Sequence, residues 1–203
     1  MNPAKNAVTI DGKRVRADRR KTPATERAGY CVVVLNKPIG VVTTLRDEHA
    51  RKTVADVLPK VPRLFPIGRL DADTAGVLLC TNDGELAHLL AHPSSRIERT
   101  YHVRVSSVLT PEQAARLEAR NVNHGPDAHT SFDMTLREGK NRQVRRMCAQ
   151  LGLRVVGLTR TQFGPVALDA LAPGATRPLS RAERDALSRW QSQTATRSHV
   201  TKR

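Results

Sequence analysis

Aromatic residues are scarce in this 203-residue chain: one Trp, two Tyr and three Phe, 3% in all. That argues against a protein holding single strands along a row of stacking rings. Cysteine is equally sparse. Cys31, Cys80 and Cys148 stand far apart in apolar stretches without ligand-like spacing, which reads as reduced core thiols of a cytoplasmic protein. No apolar run is long enough to span a bilayer, and the N-terminus lacks the apolar segment of a signal peptide. A basic amphipathic helix with bulky apolar anchors is also missing, which argues against a membrane-surface protein. There is no Gly-rich phosphate loop, no Ser nucleophile elbow and no zinc pattern. His88 and His92 are four apart with Glu85 a turn earlier, but the Glu of a His-Glu-x-x-His site is absent, so they read as surface histidines. His124 and His129 fall in an expected loop.

Acidic residues are the last shortage, and it is informative. Only 19 Asp plus Glu face 34 Lys plus Arg, a formal net charge of +15. Such an excess attracts polyanions and releases counterions when phosphates are neutralised, so nucleic acid is the expected partner. Hydrophobic residues at 39% suffice for a core, in one large domain or two lobes sharing one.

Residues 1–29 read as a basic arm, 30–190 as the folded domain, and 191–203 as a disordered basic tail that adds non-specific affinity. Cys31 to Leu35 is a continuous apolar run and predicts a buried strand; Ile39 to Thr44 predicts a second short one. Thr53 and Asp56 form a capping pair opening a short helix. Further strands are expected at 76–80, 100–105, 131–136, 154–159 and 162–168. Helices are expected from Asn82-Asp83-Gly84 through Leu90, from Thr110-Pro111 to about Arg120, and from the capping box Ser180/Glu183 until it fades after Trp190. Between Arg142 and Leu151, Val144, Met147, Cys148 and Leu151 share one face, with Asn141 as expected N-cap and Gly152 as stop. Strands and helices mix without a βαβ rhythm, which predicts an α+β fold around a central, mostly antiparallel or mixed sheet.

Two features could do chemistry. Arg69, Asp71 and Asp73 form a polar knot between apolar strands, a rigid mount for a carboxylate, although Asp-x-Asp also suits an ordinary turn. Lys140, Arg142, Arg145 and Arg146 cluster at the start of the Arg142–Leu151 helix. At about 100° per residue Arg145 lies beside the apolar face, within reach of a buried acid, whereas Arg142 and Arg146 read as a solvated basic face.

Four stretches, in order, resemble the pseudouridine synthases that act on ribosomal RNA, in the branch typified by RsuA. They are Leu35-Asn-Lys37-Pro38-x-Gly40, Phe65 through Gly84 with Arg69-Leu-Asp71-x-Asp73-Thr74 at its centre, Glu98-Arg-Thr-Tyr101, and Leu136 through Met147. The resemblance spans residues 31–180 and implies that family's fold with an RNA-binding cleft. It implies Asp71 as nucleophile, Tyr101 as the residue that packs on the target base and takes its C5 proton, and Arg145 as the cation paired with that aspartate. It places Arg69 in the RNA stack left by the base. Lys37, Lys140, Arg142 and Arg146 are the further expected RNA contacts, although the motif of Lys37 and Pro38 has a mainly structural role in relatives. Many relatives carry an N-terminal S4-type RNA-binding domain, of which residues 6–15 resemble only the final strand and turn; residues 121–130 look shortened.

Uridine isomerisation needs no cofactor or metal, and none is expected. The expected protein is a cytoplasmic, monomeric enzyme acting on ribosomal RNA, free or in an assembling subunit. Two rivals remain: a non-catalytic RNA-binding or ribosome-assembly factor on the same fold, and a metal-dependent phosphodiesterase using Asp71 and Asp73.

Overall fold

The structure is a computed structural model that describes residues 8–10, 13–15, 31–60, 63–125 and 127–200, without the side chains of 8–10, 13–15 and 192–200. In the arm, β1 (Val8–Ile10) pairs antiparallel with β2 (Lys13–Val15); the expected Asp11-Gly12 turn lies outside the described residues.

The body is a nine-stranded sheet. Its strands are β3 (Val32–Lys37), β4 (Phe65–Pro66), β5 (Ala75–Thr81), β6 (Arg99–Val105), β7 (Arg120–His124), β8 (Thr130–Leu136), β9 (Val155–Phe163), β10 (Val166–Ala167) and β11 (Thr176–Pro178). The order is β11-β3-β5-β9-β6-β8-β7, with β4 on β5 and β10 on β9. All of its named pairings are antiparallel except β5 with β9, which are parallel. Helices α1 (Gly84–Ala91), α2 (Pro111–Arg116), α3 (Gln143–Gln150) and α4 (Arg181–Val200) complete an α+β fold.

The continuous apolar run of β5 has a simple cause: both faces of the strand are covered. Leu78 and Cys80 join one core with Val144 and Cys148 of α3, while Val77 and Leu79 join another with Leu86 and Leu90 of α1 and Leu187 of α4. Asp83 caps α1 by accepting from the backbone N–H groups of Glu85 and Leu86, within the Asn82-Asp83-Gly84 start expected for this helix.

Parallel strands β5 and β9 meet only through Ala75 opposite Thr159 and Gly76 opposite Arg160. Gly76 has φ +106, and a Cβ there would overlap the backbone of Arg160, 2.7 Å from its nitrogen. The seam is strengthened by the Arg160 Nε, which donates to the Val77 carbonyl at 2.7 Å.

Five local expectations need correction. Ile39–Thr44 is no strand: Gly40, at φ +85, turns the chain, and Val42 makes an isolated bridge to Thr53. The Thr53/Asp56 capping pair is present but closes one 3-10 turn, Val54–Asp56. Helix α2 stops at Arg116, because Glu118 at φ +49 redirects the chain into β7, where pairing with β8 replaces further helix; His124 therefore sits on a strand. The stretches at 154–159 and 162–168 are mostly one strand, β9, followed by the short β10. The backbone of α4 continues to Val200, so the tail expected to be disordered from Gln191 is helical over most of its length; no Gly or Pro interrupts it there.

Gly76→Ala is expected to cost about 3 kcal/mol or more, through both overlap and backbone strain. Gly84→Ala, which meets nothing within 4 Å, should stay within about 0.5 kcal/mol of wild type. Urea denaturation of the two variants makes the comparison; equal midpoints would refute the close approach.

Candidate active site

Asp71 lies on the loop that feeds β5, and three braces fix that loop. Thr43 Oγ1 donates to the Leu70 carbonyl at 2.6 Å and accepts from the Leu70 N–H at 3.2 Å. Gly40 N–H donates to the Ala72 carbonyl at 2.7 Å. Arg145 Nη2 donates to the Asp73 carbonyl at 2.8 Å. Every residue from Leu70 to Asp73 is thus braced directly or lies beside one that is, and Asp71 remains one-third exposed.

Lys37 explains why the 38–41 turn is so shaped. It is fully buried, and its Nζ donates to the carbonyls of Pro38 at 2.8 Å and Val41 at 2.7 Å. The expectation that Lys37 contacts RNA is therefore wrong: its side chain has no exposed surface, and its ammonium is already committed to two carbonyls. Burial pushes its pKa down from 10.5 to about 8, against the opposing pull of Asp73 and Asp71.

The basic cluster before α3 also sorts differently from expectation. Asn141 is not the cap; Arg142 occupies that position at φ +47. From there its guanidinium takes both oxygens of Asp73, Nη1 to Oδ1 at 3.3 Å and Nη2 to Oδ2 at 3.0 Å, with Nη1 3.7 Å from Asp71 Oδ2. Arg142 is thus no mere solvated cation. Arg145, expected beside Asp71, instead has its Nε 3.2 Å from Asp73 Oδ2 and its Nη1 on the Val155 carbonyl at 3.3 Å. Partial burial raises the pKa of Asp73, but the Arg142 hydrogen bonds and the charges of Arg145 and Arg142 outweigh it and hold the carboxyl below its ordinary value. Arg146 is exposed.

A cleft of about 620 Å³ opens above this loop. Asp71, Arg69, Tyr101, Lys140 and Arg142 line it together, while Lys37, Arg145 and Arg146 do not. Tyr101 is nearly buried on β6. Leu70, Leu136, Val144, Leu158 and Phe163 supply apolar walls suited to a planar base. The sequence reading missed Thr43, which brace geometry alone reveals, and Arg99 and Arg160, which also line the cleft. His88 and His92 are exposed on and beside α1 with rings 5.6 Å apart, and no group of three or more His, Cys, Asp or Glu that could hold a metal occurs among the described residues.

Residues 31–150 match the family described as RNA pseudouridylate synthase. The chain belongs to that family. It is an RNA pseudouridine synthase, an isomerase. A protein of Rickettsia felis named as an uncharacterized RNA pseudouridine synthase is 38% identical over 156 residues, 71% of this chain and 68% of that one. The ribosomal large subunit pseudouridine synthase B of Xylella fastidiosa is 38% identical over 181 residues, 79% of this chain but 37% of that one. A crystal structure of a pseudouridylate synthase superposes with a TM-score of 0.65 at 33% identity, over 78% of this chain and 74% of that one.

The buried lysine of this synthase has a pH signature. Its folded pKa, about 8, lies below the ordinary 10.5, so between those values the folded protein binds fewer protons than the unfolded chain. Stability from this group therefore rises with pH across that window. The difference in unfolding free energy between wild type and Lys37→Met, followed by urea denaturation from pH 7 to 10.5, should rise in favour of wild type above about pH 8. A flat difference would show that Lys37 titrates normally.

Proposed function

We propose that this synthase isomerises a specific uridine of ribosomal RNA, with Asp71 as nucleophile, acting in the cytoplasm as a monomer. The observation that carries the reading is the convergence of Asp71, Tyr101 and Arg69 on one cleft with an apolar wall. The large-subunit name of the Xylella relative supports a ribosomal substrate.

In the reaction, the N1–C1′ bond breaks, the base turns, C5 joins C1′, and the C5 proton is lost while N1 is protonated. Atoms and electrons balance without an external oxidant or reductant. The target must first leave its stack at a cost of a few kcal/mol, offset by phosphate contacts and by a side chain that takes its place. Arg69, exposed at the cleft mouth, fits that place. Asp71 serves as the nucleophile that holds either the base or the sugar while the glycosidic bond is open. Tyr101 packs on the base and accepts the C5 proton. Arg142 and Arg145 act on the aspartate loop: both bind Asp73, and Arg142 also stands near Asp71. Lys140 and Arg142 at the rim, with Arg146 beyond it, meet the RNA backbone.

Carbodiimide mapping of unmodified ribosomal RNA, incubated with the protein in EDTA, tests this. Wild type should create one new stop, Asp71→Asn should lower its formation by roughly 10³-fold or more, and Tyr101→Phe by roughly 10²- to 10⁴-fold. Pseudouridine made by Asp71→Asn at the wild-type rate would refute the assignment.

A further inference from the structure

Two arginines in the cleft have no part in the scheme above. Arg99 and Arg160 line it, yet only 7% and 3% of their surface is exposed. A register shift in the β6/β9 pairing brings them together. Thr100 faces Gln162 but Tyr101 faces Arg160, so Thr161 is an extra residue on β9. Without that bulge, the partners of Arg99 and Tyr101 would be two residues apart; with it they are Phe163 and Arg160, three apart and on one face. Both guanidiniums then sit over the same ring, 5.2 Å and 5.1 Å from the Phe163 centroid.

Their charge is poorly compensated. Arg99 donates to the Ile97 carbonyl and Arg160 Nε to the Val77 carbonyl, while Arg160 Nη2 is buried without any hydrogen-bond partner. Two carboxylates line the cleft. Asp71 stands by Arg142, and Glu138 is held by Lys140 and Gln143. Among the described residues neither arginine forms an ion pair. One phenyl ring orients two cations but does not neutralise them. Burial first, and then the charge of Arg160, presses the Arg99 guanidinium below its ordinary range. A buried cation pair with an orphan donor is costly unless a counter-charge arrives with the ligand.

We propose that Arg99 and Arg160 form an anion subsite in the floor of the cleft that binds a phosphodiester flanking the target uridine. The inference rests on the reading of the cleft as a uridine site. It adds a mechanical role: a phosphate held beside Tyr101 anchors the ribose, so that the base alone turns between bond breaking and bond making. Arg99 and Arg160 are thus substrate-positioning residues, distinct from the exposed cations of the rim.

The test uses the full-length wild-type protein and the trinucleotide ApUpA, compared with two analogues carrying a neutral methylphosphonate on the 5′ or the 3′ side of the uridine. NMR titration should show one analogue binding about tenfold or more weakly than ApUpA, the loss of a charge-assisted contact. That difference should shrink to under about twofold in Arg99→Met or Arg160→Met, checked for folding by circular dichroism, and persist in Arg99→Lys. Should the Met variants not fold, the guanidinium ¹⁵N resonances of Arg99 and Arg160 in wild type report directly: they should shift with ApUpA and not with the weakened analogue. Equal binding of all three ligands, or a difference that survives both Met substitutions, would overturn the proposal. Failure of all three ligands to bind would overturn it too, and pseudouridine mapping decides independently whether the isomerase reading stands.

Discussion

The close contact of β5 with β9 at Gly76 and Arg160 is the constraint on which the rest of the molecule depends. It joins the β11-β3-β5 half of the sheet to the β9-β6-β8-β7 half through two residue pairs. The loop bearing Asp71 enters β5 immediately before this seam. Tyr101 lies directly across from Arg160 on the other side of it. The distance between proposed nucleophile and proposed base is therefore set by backbone packing, which does not relax as a flexible side chain would. Any side chain at Gly76 would push the two halves apart and the two groups with them.

Around the seam, positive charge is used as internal framework as much as surface attractant. Lys37 shapes the turn that presents the Gly40 N–H to Ala72. Arg145 ties the Asp73 carbonyl to the Val155 carbonyl, linking the aspartate loop to the start of β9. Arg142, the N-cap of the same helix α3, grips Asp73 with two hydrogen bonds. Each bond is modest alone, about 1 to 3 kcal/mol for a charged donor. Together they hold one short loop from two segments distant in sequence, the turn after β3 and the start of α3, which is the condition for a preorganised carboxylate. Asp73 thus acts as the anchor that lets Asp71 stay partly exposed.

Much of this was legible beforehand where the signal is local. The start of α1 at Asn82-Asp83-Gly84, the apolar face of α3 through Val144 and Cys148, and the apolar strand β5 follow from side-chain chemistry and spacing within a few residues. The grouping of Asp71, Tyr101 and Arg69 was legible from the order and content of the motifs. Two of the misreadings share a cause, dependence on a non-local partner. The bulge at Thr161 breaks the period-two alternation of β9, which is why that strand reads as two pieces. Helix α2 ends early because β8 offers the following residues a strand partner.

What the chain order encodes, then, is the inventory of chemistry: which carboxylate, which tyrosine, and a basic excess that expects RNA. The tertiary structure alone decides which cation serves which acid. Lys37 is sealed inside, Arg142 reaches both aspartates, Arg145 takes Asp73, and Arg99 and Arg160 are left facing the cleft together. Helical periodicity gives a side chain's direction from its own axis, but the identity of its partner depends on which distant backbone the fold brings within 3 to 4 Å, and that is settled by packing across the β5/β9 seam.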